Sequence, residues 1–183
     1  MKPFPPALLA FCRAVDALNA AIGWLAAAAV LAACLISAGN ALVRYTWDVS
    51  SNAWLEIQWY LFAATVMLGA AYVLRRNEHV RVDIFYSRLP PRAQVLLDLA
   101  GLLLFVLPVI GLLLALSWPI FARAFASGEV SSNAGGLVRW PALLLLPLGF
   151  ALLMLQALAE IIKRLAYLRG HATLDAQYEK PLQ

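Results

Sequence analysis

Charge is scarce in this sequence. Asp, Glu, Lys and Arg make up 13% of its 183 residues and hydrophobic residues 63%, whereas a soluble domain carries about 25% charged residues and about 45–50% apolar ones. That balance excludes an ordinary soluble domain and points to an integral membrane protein. Histidine is nearly absent. His79 and His171 lie outside the apolar blocks, which excludes a four-helix membrane cytochrome, whose haem ligands must sit within its helices. The two cysteines, Cys12 and Cys34, form neither a loop disulfide nor a C-x-x-C pair, so they read as unpaired small apolar residues. No Ser-His-Asp or Cys-His set can be assembled from loops on one face. The glycines near 135 are not followed by the Gly-Lys-Ser/Thr of a phosphate-binding loop. His79 beside Glu78 and Asp83, on a short basic loop, is a poor metal cage. Catalytic, cofactor-binding and metal-binding residues are therefore not expected, and neither is enzymatic activity.

What is present is four long apolar blocks. Ile22–Val43 is uncharged and about 33 Å long as a helix, enough for the ~30 Å hydrocarbon core. A cleaved signal peptide has a shorter apolar core. Residues 1–21 read either as a short interfacial amphipathic helix or as the first turns of the same membrane helix. The second block is 53–74, the third 93–118 and the fourth 140–162. The expected fold is thus an all-α integral membrane protein with four transmembrane helices in one domain, followed by a polar tail at 163–183. Ser50, Ser51 or Asn52 can cap the second helix. Pro108 should kink the third span, with Ser117-Trp118-Pro119 marking its far end. Residues 119–139 are turn-rich and are expected to form a bent, partly helical segment near the interface.

The longest hydrophilic interruption is Arg75–Arg92. Val82, Phe85, Tyr86 and Leu89 form an i, i+3, i+4, i+7 stripe there, which predicts a short amphipathic helix on the membrane surface, stopped at Pro90. This loop fixes the topology. Eleven cations lie in the N-terminal segment, the central loop and the C-terminal segment, and only Arg44, Arg123 and Arg139 lie in the other two loops. The positive-inside rule then puts both termini and the central loop in the cytoplasm. The +4 net charge accordingly serves membrane flanking and not nucleic-acid binding.

Glu56 is an acid just inside the second span, a costly position in lipid that calls for a protein, water or cation partner. Arg44, near the same interface, is the simplest one. Thr65 and Gly69 suit close helix packing. The midplane is almost wholly Ala, Leu, Val and Gly, whereas a stand-alone transporter is expected to show polar or broken helices there. That favours a helper subunit in a larger assembly over the alternative of a self-contained oligomeric transporter or channel.

Several stretches carry a family resemblance. These are Arg-Tyr at 44–45, WLEIQWYLF at 54–62, EHVRVD at 78–83, GEVSSNAGGLVRWP at 128–141 and LPLGFALLMLQALAE at 146–160. In this order, with four spans, the chain resembles the small membrane subunit of TRAP (tripartite ATP-independent periplasmic) transporters, the DctQ-like family, over about residues 15–170. The resemblance implies an inner-membrane scaffold beside a large permease that carries the substrate. It also implies a periplasmic binding protein that delivers an organic acid or related solute, and a sodium gradient coupled in the large subunit, with no cofactor here. Candidate contacts to those partners or to lipid head groups are Arg44, Glu56, Gln58, His79, Arg81, Asp83, Glu129, Ser131 and Asn133.

Overall fold

A computed structural model describes residues 4–77, 86 and 88–171. His79, Arg81, Asp83 and most of the amphipathic stripe expected between the second and third spans lie outside the described residues. Four helices are long and apolar enough to cross a membrane: α1 Pro6–Trp47, α2 Asn52–Arg76, α3 Pro91–Ser127 and α4 Trp140–Leu168. Among the described residues, the β structure is an isolated antiparallel bridge between Val130 and Val138.

The helices outrun the expected spans. α1 is continuous for 42 residues, about 63 Å at 1.5 Å per residue, so residues before Ile22 are the first turns of the membrane helix. Pro6 suits that start, since the first turn has no use for its missing N–H. Asp48, in the left-handed region at φ 54°, closes α1 by donating its N–H to Arg44 O. Ser51 holds the N-cap position of α2 without a side-chain capping bond. α3 does not stop at Trp118 but runs through Pro119 to Ser127, where Gly128 at φ 62° ends it. A π-helical turn at Leu102–Val106 directly precedes Pro108. There the ring's missing N–H breaks the α-helical ladder, and one wider turn takes up the mismatch. α4 continues past Ile162, so Lys163 and Arg164 are helical residues, not the start of a tail.

α4 is the hub. It packs against α1, α2 and α3, while α1 packs on α2 and α3 packs chiefly on α4. Lipid tails are as apolar as leucine, so helix association in a membrane rests on close packing and polar contacts more than on burial from water. Close packing shows at the glycines: a Cβ on Gly23 of α1 would lie 2.7 Å from Tyr72 Cγ of α2. A Cβ on Gly149 of α4 would lie 2.7 Å from Met67 O of α2. On the other side of α2, Thr65 Oγ1 donates to Leu61 O at 2.9 Å and lies 3.4 Å from Ala26 O of α1, and a Cβ on Gly69 would sit in ordinary contact, 3.8 Å from the Ala26 side chain. Many large apolar side chains point outward, Leu31, Leu35, Phe62, Leu104 and Leu112 among them, as befits surfaces meeting lipid or another membrane protein.

Candidate functional site

Polar groups gather in two layers, one at each end of the bundle. The first lies at the end where α1 begins and α4 finishes. Gln156, Glu160 and Arg164 recur every fourth residue on α4, which puts them on one face. The Gln156 amide is fully buried; it accepts from Asn19 Nδ2 at 2.8 Å and donates to Asp16 Oδ1 at 2.9 Å and Glu160 Oε1 at 3.0 Å. Glu160 accepts from Lys163 at 2.6 Å and from Arg164 Nη1 at 2.5 Å. Arg164 reaches on to Asp98 of α3 at 3.2 Å. Lys163 also meets Asp16 at 2.9 Å, and Arg75 of α2 stands 3.8 Å from the same carboxylate. Three acids and three bases from all four helices thus form one neutral network. Glu160 and Arg164 are 6% and 7% exposed, while Arg75, Lys163 and Asp16 form its partly wetted rim.

The second layer is built on Glu56 in the first turns of α2. This residue is 3% exposed, and its carboxylate is held by residues some eighty positions away. Asn133 Nδ2 donates to Oε1 at 2.7 Å and the Leu137 N–H to Oε2 at 2.7 Å, with Ser131 a further side-chain partner. The expected Arg44–Glu56 ion pair is not formed. Hydrogen-bond donors from the α3–α4 connection take the place of the cation, because that connection folds back over the end of α2. Ser131 N donates to Leu137 O and Arg139 N to Glu129 O, both at 2.9 Å, and the Arg139 guanidinium pairs with the Glu129 carboxylate. Gly136 permits the tight return; a Cβ there would meet Ser131 Cβ at 2.7 Å and Asn133 O at 2.9 Å. Two bonds latch the hairpin to α2, Asn52 Nδ2 to Ala134 O and Tyr60 Oη to Val138 O, each 3.2 Å.

Glu56, Ser131 and Asn133 therefore share one site, with Glu129 at the start of the hairpin. Arg44 is exposed at the end of α1. Gln58 is half-buried, and its Nε2 has no hydrogen-bond partner. Sequence reasoning missed the first layer. The fourfold spacing of Gln156, Glu160 and Arg164 was its available signal.

A Glu56→Gln substitution keeps the shape but turns one accepting oxygen into a donor facing donors. Faster hydrogen exchange at Leu137 and across 129–139 is the expected result, with exchange in α4 unchanged. Wild-type protection of Leu137 in the variant would contradict the latch.

Among known proteins, the family described as tripartite ATP-independent periplasmic transporters, DctQ component, matches residues 33–166. A Haemophilus influenzae protein assigned as a TRAP transporter small permease protein is 34% identical over 58 residues, which cover 32% of this chain and 36% of that protein. The shared stretch is thus about a third of that relative's length. No solved structure matches the chain.

Proposed function

Since this chain belongs to the family of the DctQ component of tripartite ATP-independent periplasmic transporters, we propose that it works as a static scaffold for a larger permease. It is a multi-pass protein of the bacterial inner membrane and a small subunit of a TRAP transporter. The observation that carries the scaffold role is where its polar groups lie. Residues 20–39, 61–71, 99–116 and 141–155, the middles of the four helices, contain no charged residue. Polar interactions instead clamp the two ends. A pathway for a charged solute needs polar groups or freed backbone lining a cavity at the midplane; the π-helical turn of α3 there, Leu102–Val106, carries only apolar side chains, so we assign the solute's path to the partner subunit.

In this reading, a periplasmic binding protein delivers an organic acid or related solute, and sodium coupling resides in the large permease. With both termini in the cytoplasm, the orientation the cation count favours, the Glu56-anchored hairpin faces the periplasm. Glu129, Ser131 and Asn133 then present a latched surface to the partners, with exposed Arg44 at the same end of the bundle toward lipid head groups. His79, Arg81 and Asp83 serve the cytoplasmic side, toward the permease or lipid head groups.

An affinity-tagged copy of the chain, expressed with its neighbouring permease, tests this reading. The permease is expected to co-purify in a fixed ratio. A chain that purifies without the permease and conducts solute by itself in liposomes would contradict the scaffold role.

A further inference from the structure

We infer that the outer end of the α1–α2 hairpin holds one phospholipid, with an acyl chain in the groove between the helices and the phosphate on Arg44. A cavity of about 310 Å³ lies there, lined by Leu35, Ile36, Gly39, Asn40, Val43 and Trp54 among others, and its wall is almost wholly apolar. That volume is at the lower end of what small-molecule sites offer.

Depth in the bilayer identifies the occupant. Asp16, in the charged layer at one end of the bundle, and Arg44 are 28 residues apart on one unbroken helix, about 42 Å at 1.5 Å per residue. A bilayer including its head-group regions measures about 40–45 Å. With Asp16 at one polar face, Arg44 reaches the other, and the groove, one to two turns deeper, lies in the hydrocarbon. Trp54 lines the groove, and Trp47 follows the lining residue Val43 by one turn on α1; both are exposed, at the level where aromatic side chains border head groups. Ile36, Asn40 and Arg44 follow each other at four-residue intervals, so the Cα of Arg44 stands one turn above the groove on the same face. Long helical side chains lean toward the preceding turn, which directs the arginine toward the mouth. Among the described residues Arg44 has no ion-pair partner; Asp48, the one acid in the 48–51 connector, bonds to it through the backbone, its N–H donating to Arg44 O. A basic side chain at head-group depth above an apolar slot matches the two halves of an anionic phospholipid. A helix of the large permease would have no use for an unpaired cation at that height unless it brought an acid.

The experiment uses the full chain in nanodiscs of mixed phosphatidylglycerol and phosphatidylcholine, with a phosphatidylglycerol carrying a photoreactive acyl chain as probe. Label is expected on peptides covering 35–43 and 49–54. A Cβ on Gly39 would meet nothing within 4 Å, so Gly39→Leu has room at its first side-chain atom to project into the groove, and it should cut this label severalfold in protein whose unfolding is measured alongside. Arg44→Ala should reduce the preference for phosphatidylglycerol over phosphatidylcholine by about fivefold, the factor commonly contributed by one basic side chain near an anionic lipid surface. Label that is spread evenly over the exposed helices, or untouched by Gly39→Leu, would overturn the site. So would a Gly39→Cys variant that cross-links to a permease helix in the assembled transporter while the lipid label disappears, since the groove would then seat protein.

Discussion

Arg164→Ala is expected to destabilise the folded subunit by about 3–5 kcal/mol, the usual cost of removing one partner from a buried ion pair. The guanidinium lies between Glu160 at 2.5 Å and Asp98 at 3.2 Å, and both it and Glu160 are almost inaccessible. Its loss leaves two carboxylates without their shared cation across the α3–α4 contact. Lys163, 2.6 Å from Glu160, still compensates part of that charge, which favours the lower end of the range. Removing all three charges together with apolar side chains, as Asp98→Leu, Glu160→Leu and Arg164→Met, is expected to recover most of the stability, because a buried ion pair and its apolar replacement are often of similar stability. The exposed Glu129–Arg139 pair is the contrast. Arg139→Ala should cost no more than about 1 kcal/mol, as surface pairs do. Equilibrium unfolding in a mild detergent compares them. An Arg164→Ala protein within about 0.5 kcal/mol of the wild type, the range of an ordinary surface change, would mean that the network does not hold the helices together.

Gly149→Leu should be more damaging still. A Cβ at position 149 already meets Met67 O at 2.7 Å, Met67 Cβ at 2.8 Å and Met67 C at 3.0 Å. Two of those atoms are backbone, so no rotamer change relieves the contact and α2 must move away from α4. Even Gly149→Ala is expected to cost about 1–3 kcal/mol, as overpacking of a tight core does. With leucine, the α1–α2 hairpin should separate from α4, detected as loss of a disulfide engineered between the helices. Gly39→Ala, where a Cβ meets nothing within 4 Å, is the control and should be neutral. A Gly149→Leu protein that keeps the wild-type cross-link would refute the close approach. Small residues matter more here than in a soluble core, because apolar area hidden between these helices is only exchanged for contact with lipid tails.

The four spans were legible because hydropathy acts along the chain, and each apolar block is longer than the hydrocarbon core is thick. Their ends were not. Pro119 reads as a stop, yet α3 passes through it; likewise Lys163 and Arg164 read as the positive flank of a finished helix, yet they are inside α4. A cation count takes them as facing head groups, whereas Arg164 is neutralised within the bundle by Glu160 and Asp98. Glu56, Ser131 and Asn133 were legible as polar residues in marked stretches. Their mutual contact was not, because it depends on a hairpin folding back across about eighty residues of sequence. The nearest cation in sequence, Arg44, was the natural but mistaken partner. The Asp16–Gln156 and Asp16–Lys163 contacts span 140 and 147 residues, and no local periodicity reports such pairs.

That this chain braces a transporter and does not itself carry the solute is tested most directly by uptake into proteoliposomes. Three preparations are compared in the presence of the binding protein and a sodium gradient: permease plus this chain, permease alone, and this chain alone. Uptake is expected in the first and background in the other two, with Gly149→Leu abolishing it. Sustained uptake by this chain alone, or full uptake by the permease without it, would contradict the bracing role.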